Sequence, residues 1–378
     1  MILTNCAVCA APLAHDAPTR CVRCRTRYCS ATCLNNHAHR GGHSEEICAE
    51  KERAGGAEQY NANQKCTEAV AVAVAKCADD TKGQTCFICM EAVHWKTKEG
   101  LVRGCACRGA AGVVHVSCLA EQAKILVAEA EANNLDDKVW NERWKRWTTC
   151  RLCERDYHGV VACALGWACW TTYVGRPEAD PVRLAAMHVL GIGLRAANHL
   201  EDARSVQEAD LSTMRRLGES SEDVILVVQS SLAITYSDLG RLEESLRMKR
   251  EVYSGRLKLF GEEHADALQA ANNYATSLYR LQRFEEAKSV MRKMTPVARR
   301  ALGDSHALTL MMRCNYAAAL YKDAGATLDD VREAVTTLEE TERIGRRVFG
   351  GSHPYTAEIE TCLRFSRAAL RRPRRRPW

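Results

Sequence analysis

The chain has 378 residues, enough for two or three domains. Its 53 basic and 47 acidic side chains give a net charge of +6, which excludes an acidic disordered tail and is too small to indicate nucleic-acid binding by itself. Hydrophobic residues make up 46% of the chain but aromatic residues only 6%, so the core depends on Ala, Leu and Val, which favours helices.

Cysteine is the outlier in the composition, with 20 residues. In a secreted protein such a count would indicate disulfides, but Met1 to Asn5 show no signal-peptide pattern before Cys6. The longest apolar stretch, Val160 to Val174, has about 15 residues, and roughly 18–20 are needed to span a bilayer. We therefore expect a soluble protein of the cytoplasm or nucleus, with no membrane or nucleic-acid partner, whose cysteines bind metal.

The first 48 residues contain cysteines at the spacing of zinc ligands. Zinc takes four ligands in a tetrahedron, and a Cys-x2-Cys turn supplies two of them. Four pairs predict two structural zinc ions, which together hold a segment too small to form its own core. The predicted ligands are Cys6, Cys9, Cys21, Cys24, Cys29, Cys33, His43 and Cys48. His37 and His39 are close enough to replace His43, which is favoured because it keeps the pairing with Cys48.

The order of these ligands, together with Tyr28-Cys29-Ser30, resembles a MYND zinc finger. The resemblance implies that Cys6, Cys9, Cys29 and Cys33 share one ion, and that Cys21, Cys24, His43 and Cys48 share the other. In that family a Gln after the sixth ligand and a Trp before the His form a groove for proline-containing peptides. Here Leu34 follows the sixth ligand and the Trp is absent. A role in holding the fold is therefore expected rather than peptide capture.

A second set of ligands follows a stretch, residues 49–82, that we predict to be a helical or loosely ordered linker. The set consists of Cys86-x2-Cys89, Cys105-x-Cys107, His115-x2-Cys118 and Cys150-x2-Cys153. Eight ligands predict two further zinc ions, which makes four per chain. A purely structural clip is the alternative to a specific function for this segment.

The motifs Cys86-Phe87-Ile88-Cys89, Cys105-Ala106-Cys107, His115-Val116-Ser117-Cys118 and Cys150-Arg151-Leu152-Cys153 resemble a RING-CH (RING-variant) domain. The resemblance implies a cross-brace in which Cys86, Cys89, His115 and Cys118 hold one ion and Cys105, Cys107, Cys150 and Cys153 hold the other. It also implies a ubiquitin ligase, which recruits a ubiquitin-conjugating enzyme and forms no covalent intermediate, so no catalytic residue is expected. The zinc ions of such a domain are structural.

The same resemblance implies the residues that touch the conjugating enzyme. Ile88 matches the apolar contact between the first two ligands, and Trp144 or Trp147 is the expected second contact. With Trp140, these tryptophans fall at i, i+4 and i+7, one face of a helix that starts near Asp136. Packing of this face in the core is the alternative, weighted equally with contact for Trp147.

Two features of this segment favour a second hypothesis, a non-catalytic adaptor that bridges proteins. A predicted helix, roughly Leu119 to Asn133, lengthens the gap between Cys118 and Cys150. Glu154 follows the eighth ligand, where active ligases often carry a basic residue. The groove residues missing from the first finger point the same way.

The chain beyond about residue 180 repeats itself with a period of 42 residues. The series Leu200, Leu242 and Phe284 continues at Val331 after 47 residues, because of an insertion near residues 323–327. Small residues recur in two further series, and each unit is predicted to be two closely packed helices that stack on their neighbours. The small residues are Ala203, Ser245, Ala287 and Ala334, and Gly191, Ala233, Ala275 and Ala317.

These repeats resemble tetratricopeptide repeats of the kind found in kinesin light chains. The resemblance covers roughly residues 182–370, with Pro354 opening a capping helix, and implies a concave surface for a protein or peptide, here the substrate of the ligase. His264, His306 and His353 recur at the turns and are predicted to cap helices. The six cysteines without ligand spacing are predicted to be buried small hydrophobes: Cys66, Cys77, Cys163, Cys169, Cys314 and Cys362.

The predicted fold is mainly α, with two small cross-brace zinc-binding domains followed by an α-solenoid. Its segments are a MYND-like finger (1–48), a linker (49–82), a RING-CH-like domain (83–158), a connecting helix (159–181), repeats with a capping helix (182–370) and a basic tail (371–378).

Overall fold

The computed structural model describes Cys6, Val8, Cys9, Leu13 and residues 19–39, 43–351 and 353–371, apart from the side chains of residues 37–39. In this part of the chain there are fifteen α-helices and two short 3-10 turns, and β-pairing is limited to three isolated bridges. The mainly α fold is therefore confirmed. The chain divides into two compact units, Met1–Ser220 and Ser221–Trp378. None of the described helices is long and apolar enough to cross a bilayer.

The first unit begins with three helices, α1 (Ala31–His39), α2 (Glu45–Arg53) and α3 (Ala57–Thr81). Residues 49–82, expected to be a helical or loosely ordered linker, form the end of α2 and the whole of α3. Helix α3 is not loose, because its buried Ala62, Ala73 and Cys77 belong to the core of this unit. Its small side chains allow a 25-residue helix to lie closely on the apolar helix α6 described next.

Four more helices complete the first unit around its core. They are α4 (Val116–Ala132), α5 (Asp137–Trp144), α6 (Gly159–Tyr173), α7 (Pro181–Ala196) and, closing the unit, α8 (Leu200–Leu217). Helix α6 is apolar on all sides because α3, α4 and α7 enclose it. Gly193 permits the contact with α7, since a Cβ there would lie 2.6 Å from the carbonyl oxygen of Ala162.

The second unit is a series of helix pairs with the predicted repeat. Its helices are α9 (Glu222–Asp238), α10 (Leu242–Phe260), α11 (Ala265–Arg280), α12 (Phe284–Leu302), α13 (Ala307–Lys322), α14 (Leu328–Phe349) and α15 (Pro354–Arg371). Each packs against the next in sequence. The small residues are buried at the pair contacts as expected, and the hydroxyl of Ser245 donates to the carbonyl of Ala233 at 2.7 Å.

Helix α14 differs from its counterparts because it begins one turn earlier. Val331 is equivalent to Leu242 and Phe284, which are the first residues of their helices, but α14 starts at Leu328. The inserted segment supplies the reason, since Thr327 and Asp330 form a reciprocal capping box. The insertion therefore extends the helix rather than enlarging a loop.

The three turn histidines cap helices, as predicted. The Nδ1 atom of His264 accepts the amide of Asp266 at 3.3 Å, and that of His306 accepts the amide of Leu308 at 3.2 Å. His353 makes the same contact at the start of α15. An imidazole used in this way satisfies an amide that the first helical turn leaves without a partner, which explains the recurrence of His at one register position.

Candidate metal centres

The sixteen predicted ligands come together in four clusters, each with its donor atoms within 4.8 Å of one another. The membership of every cluster is the one that the two resemblances implied. The clusters are Cys6/Cys9/Cys29/Cys33, Cys21/Cys24/His43/Cys48, Cys86/Cys89/His115/Cys118 and Cys105/Cys107/Cys150/Cys153. All of the cysteines are free thiols. Each cluster could hold one zinc ion, and metal binding by these residues stays a prediction.

The separations of the donor atoms fit tetrahedral zinc. Zinc–sulfur bonds of about 2.3 Å place two sulfurs about 3.8 Å apart, and a sulfur and an imidazole nitrogen about 3.5 Å apart. The Sγ atoms of Cys29 and Cys33 are separated by 3.5 Å, and those of Cys21 and Cys48 by 3.7 Å. Those of Cys107 and Cys150 are 3.8 Å apart. Four soft donors at this spacing, with no place for water, suit a closed structural site rather than a catalytic one.

Three of the Cys-x2-Cys pairs adopt one turn geometry, which explains how a short segment presents two ligands. In each, the residue after the second Cys has positive φ and donates its amide to the carbonyl of the first Cys. These residues are Arg25 (φ 58°, 2.9 Å), Met90 (φ 65°, 2.9 Å) and Glu154 (φ 52°, 3.0 Å). The turn directs backbone amides at the first sulfur, as Ile88 shows with a 3.4 Å contact to Cys86 Sγ.

These amides favour the thiolate, the form that binds zinc. Burial by itself raises the pKa of Cys86, but the backbone amides of Cys89, His115 and Ile88 outweigh burial and leave the pKa lowered. In the first cluster, amides of Cys29, Cys9 and Val8 overcome burial in the same way and lower the pKa of Cys6 to about 6. The polypeptide is thus arranged for anionic sulfur at both modules.

His43 is the histidine that the structure brings to the second cluster. Its Nε2 atom lies 3.3 Å from Cys21 Sγ and 3.7 Å from Cys24 Sγ. The side chains of the alternatives His37 and His39 lie outside the described residues. In the second module, His115 uses Nδ1, at 3.3 Å from Cys89 Sγ and 3.7 Å from Cys118 Sγ. Burial lowers the pKa of His115, which favours the neutral imidazole that binds zinc.

A fourth turn of the knuckle type was missed by sequence reasoning. It begins at His94, whose amide donates to the carbonyl of Glu99 and whose carbonyl accepts the amide of Lys98, both at 2.9 Å. Thr97 stands where a second cysteine would be, and its amide donates to His94 Nδ1 at 3.1 Å. The Glu99 carboxylate then accepts both the amide and the hydroxyl of Ser117 at 2.7 Å. Hydrogen bonds therefore close this turn and fix the start of α4 without a metal.

The expected contacts for a conjugating enzyme are placed unequally. Ile88 is 37% exposed on the first knuckle of its module. Trp144 is half-buried and stacks on Trp140 with ring centroids 5.2 Å apart. Trp147 is only 1% exposed and its ring meets Tyr173 edge-on. The expectation of a contact through Trp147 is corrected on this point, because its surface is covered by the core of its own unit.

Sequence reasoning also missed Leu152 as a surface residue. It is 51% exposed between Cys150 and Cys153, and its amide contacts Cys150 Sγ at 3.4 Å. This is the position that Ile88 occupies on the knuckle of Cys86. The signal was present in the sequence, since both knuckles have an aliphatic residue immediately before their second cysteine.

Comparison with known proteins identifies the repeats. A family model described as tetratricopeptide repeat matches residues 224–295. No curated protein matches the chain. Two structures of nearly identical TPR-like repeats, assigned to a kinesin light chain of Podosopora anserina, are 19% and 18% identical to it. They cover 62% of this chain and 97% and 98% of their own, with TM-scores of 0.43 and 0.42.

A third structure, BtubC (BKLC) from P. vanneervenii, is 15% identical, covers 70% of this chain and 96% of its own, and has a TM-score of 0.41. The match of the family model agrees with the helix pairs of the second unit. Tetratricopeptide repeats generally bind proteins, so this part of the chain is similar to protein-interaction repeats.

Proposed function

We propose that the chain is a zinc-dependent ubiquitin ligase of the RING-CH type. The observation that carries the proposal is the interleaving of the ligands between residues 86 and 153. The first and third ligand pairs form one cluster, and the second and fourth pairs form the other. Residues 83–158 are the ligase module in this proposal, and residues 1–48 are a second, structural zinc module. Both zinc ions of the ligase module lack an open position and so act by holding the fold.

The surface residues that would grip a conjugating enzyme are Ile88 and Leu152, with Trp144 beside them as a half-buried candidate. Each aliphatic residue is held outward on a knuckle whose backbone is fixed by amide–sulfur contacts of 3.4 Å. A rigid apolar contact loses little conformational entropy on binding. Because such a ligase forms no covalent bond, its rate gain comes from positioning the ubiquitin thioester for attack by a lysine.

The repeats supply the second half of the proposal, the recognition of a protein or peptide substrate. The support is the tetratricopeptide match over residues 224–295 and the stacked helix pairs around it. Binding of the substrate near a thioester held by the zinc module raises the effective concentration of the attacking lysine. The chain would therefore act as adaptor and ligase at once.

The test is discharge of ubiquitin from a loaded conjugating enzyme to free lysine. A panel of conjugating enzymes is used with the zinc-loaded full chain. Ile88→Ala is expected to lower discharge at least tenfold, and Cys86→Ala to abolish it. Val22→Ala is the matched control, since Val22 is an apolar residue, 94% exposed, on a knuckle of the other module. Discharge that is unchanged in both Ile88→Ala and Cys86→Ala would refute the ligase proposal.

A non-catalytic adaptor is the second candidate, and Glu154 is the observation that favours it. Glu154 occupies the position after the eighth ligand, in the left-handed conformation that closes the knuckle. An acid at that place offers no cation to hold ubiquitin. If the chain is an adaptor, no conjugating enzyme discharges faster in its presence, and Glu154→Arg does not change this. Discharge that rises severalfold in Glu154→Arg supports the ligase instead.

A further inference from the structure

Two cysteines that belong to no zinc cluster contact each other in the second unit. Cys314 lies on α13 and Cys362 on α15, helices that pack together. Their thiols form a hydrogen bond. Cys314 is 6% exposed, whereas Cys362 is half-buried at the edge of the same core. Both residues were predicted to be buried small hydrophobes, and the pairing is what the sequence did not reveal.

The repeat register gives independent evidence that these side chains meet. The capping histidines define the register, with 42 residues from His264 to His306 and 47 from His306 to His353. One repeat before the cysteines, the equivalent positions are Asn272 and Asn315. There the Nδ2 atom of Asn315 donates to Oδ1 of Asn272 at 2.9 Å. The same contact between successive helices is thus made by two amides in one interval and by two thiols in the next.

The surroundings make one of the two thiols reactive and give it a partner. The hydrogen bond with Cys314, opposed by burial and aided by Tyr321, lowers the pKa of Cys362 to about 7. A large fraction of Cys362 is therefore thiolate at neutral pH, the nucleophilic form. Cys314 also borders a cavity of about 30 Å³ lined by Asn315 and Glu358. That volume admits a molecule the size of water or hydrogen peroxide.

We propose that Cys314 and Cys362 form a reversible disulfide in response to a hydroperoxide, and that this bond fastens α15 to α13. The Cys362 thiolate attacks the peroxide, so that an S–O bond forms, the O–O bond breaks, and the hydroxide released takes up a proton to leave as water. The Cys314 sulfur then attacks the sulfenic acid. The S–S bond forms, the S–O bond breaks, and the thiol proton leaves with the hydroxide as a second water. The two thiols lose two electrons, which the peroxide gains.

The bond would change the end of the repeat array rather than its fold. Helix α15 is the last described element, and it packs on α13 and α14. A covalent link to α13 restricts its local opening. The expected consequence is slower hydrogen exchange of α15 amides, by at least tenfold, with exchange in α9 unchanged. The surface that the last repeats offer to a partner would then be rigid in the oxidised chain and free to open in the reduced one.

The experiment uses the zinc-loaded full chain treated with a small excess of hydrogen peroxide, followed by alkylation and trypsin without reductant. The expected product joins the peptide that starts at Cys314 and ends at Lys322 to the peptide of residues 348–364. Thiol reductant should separate them and restore fast exchange in α15. The zinc content should be the same before and after treatment.

Variants separate this pairing from general oxidation. In Cys362→Ser, Cys314 should be recovered alkylated, whereas Cys66→Ser, which removes a half-buried thiol from the first unit, should leave the cross-link intact. Recovery of Cys314 and Cys362 as separate alkylated or over-oxidised residues in the wild-type chain would overturn the proposal. Loss of zinc before the cross-link appears would overturn it as well, because the cluster thiolates would then be the reactive ones.

Discussion

The Nδ1 atom of His43 lies 3.2 Å from the hydroxyl of Tyr28, on the side of the ring away from Cys21 and Cys24. Tyr28 is fully buried, and its ring meets that of His43 edge-on. A ligand histidine is usually held in this way, because a partner for its second nitrogen fixes both the tautomer and the ring orientation. The contact therefore supports His43 as the ligand that pairs with Cys48.

The first prediction concerns zinc stoichiometry. Protein purified without chelator should carry four zinc ions per chain by native mass spectrometry. His43→Ala should carry three, because its cluster loses one of four donors, while His37→Ala and His39→Ala should keep four. Loss of an ion in His37→Ala or His39→Ala, with none lost in His43→Ala, would assign the ligand to that residue instead. Two ions in the wild-type chain would mean that one set of eight ligands does not bind metal.

Chelation of zinc should affect the two units differently. A structural zinc site contributes about 10–16 kcal/mol to folding, and the knuckles at Cys21 and Cys86 have little apolar core of their own. Amide exchange in both knuckles should therefore accelerate by at least a hundredfold on chelation, whereas α11, whose core is apolar, should keep its protection. Retained protection of the knuckles in the metal-free chain would contradict the prediction.

Substitution of the tryptophans should separate core from surface. Trp147→Ala should lower the free energy of unfolding of the first unit by about 3–5 kcal/mol, because it removes a buried indole from the core. Trp95→Ala is the control, since Trp95 is 68% exposed and should change stability by about 0.5 kcal/mol or less. Urea unfolding followed by circular dichroism measures both. Equal effects of the two substitutions would show that Trp147 is not part of the core.

The pH dependence of the second unit should depend on Lys249. Burial, followed by repulsion from Arg280, lowers the pKa of Lys249 to about 8, and its ammonium donates to Ser277 Oγ at 2.9 Å. The unfolded lysine has a pKa of about 10.4. Between these values the unfolded state binds more protons, so the free energy of unfolding rises with pH.

Lys249→Met should therefore raise the free energy of unfolding at pH 7 by about 1–2 kcal/mol, allowing for the partial exposure of this side chain. It should also lack the rise between pH 8 and 10.4 that the wild-type chain shows. Lys258→Met, an exposed position on the same helix, is the matched control. Thermal unfolding across this pH range gives the measurement. A rise of equal size in wild type and Lys249→Met would refute the assignment.

Local spacing in the sequence was enough to predict the ligand sets and the helix pairs. A Cys-x2-Cys turn and a 42-residue recurrence of small residues are short-range patterns, and the backbone geometry that satisfies them is nearly unique. The helix start at Asp136 was predicted for the same reason, because its carboxylate accepts the amide of Val139 within the first turn. Such features depend on neighbours a few residues away.

Only the tertiary structure decided which surfaces are covered. Trp144 and Trp147 are alike in the sequence, but Tyr173, from a helix that follows the zinc ligands, closes over the core at Trp147. Cys314 and Cys362 are ordinary apolar positions until α13 and α15 bring them together. Burial and contact depend on segments distant in sequence. The periodicity of one helix predicts which side is apolar, but it does not identify the residue that will pack against it.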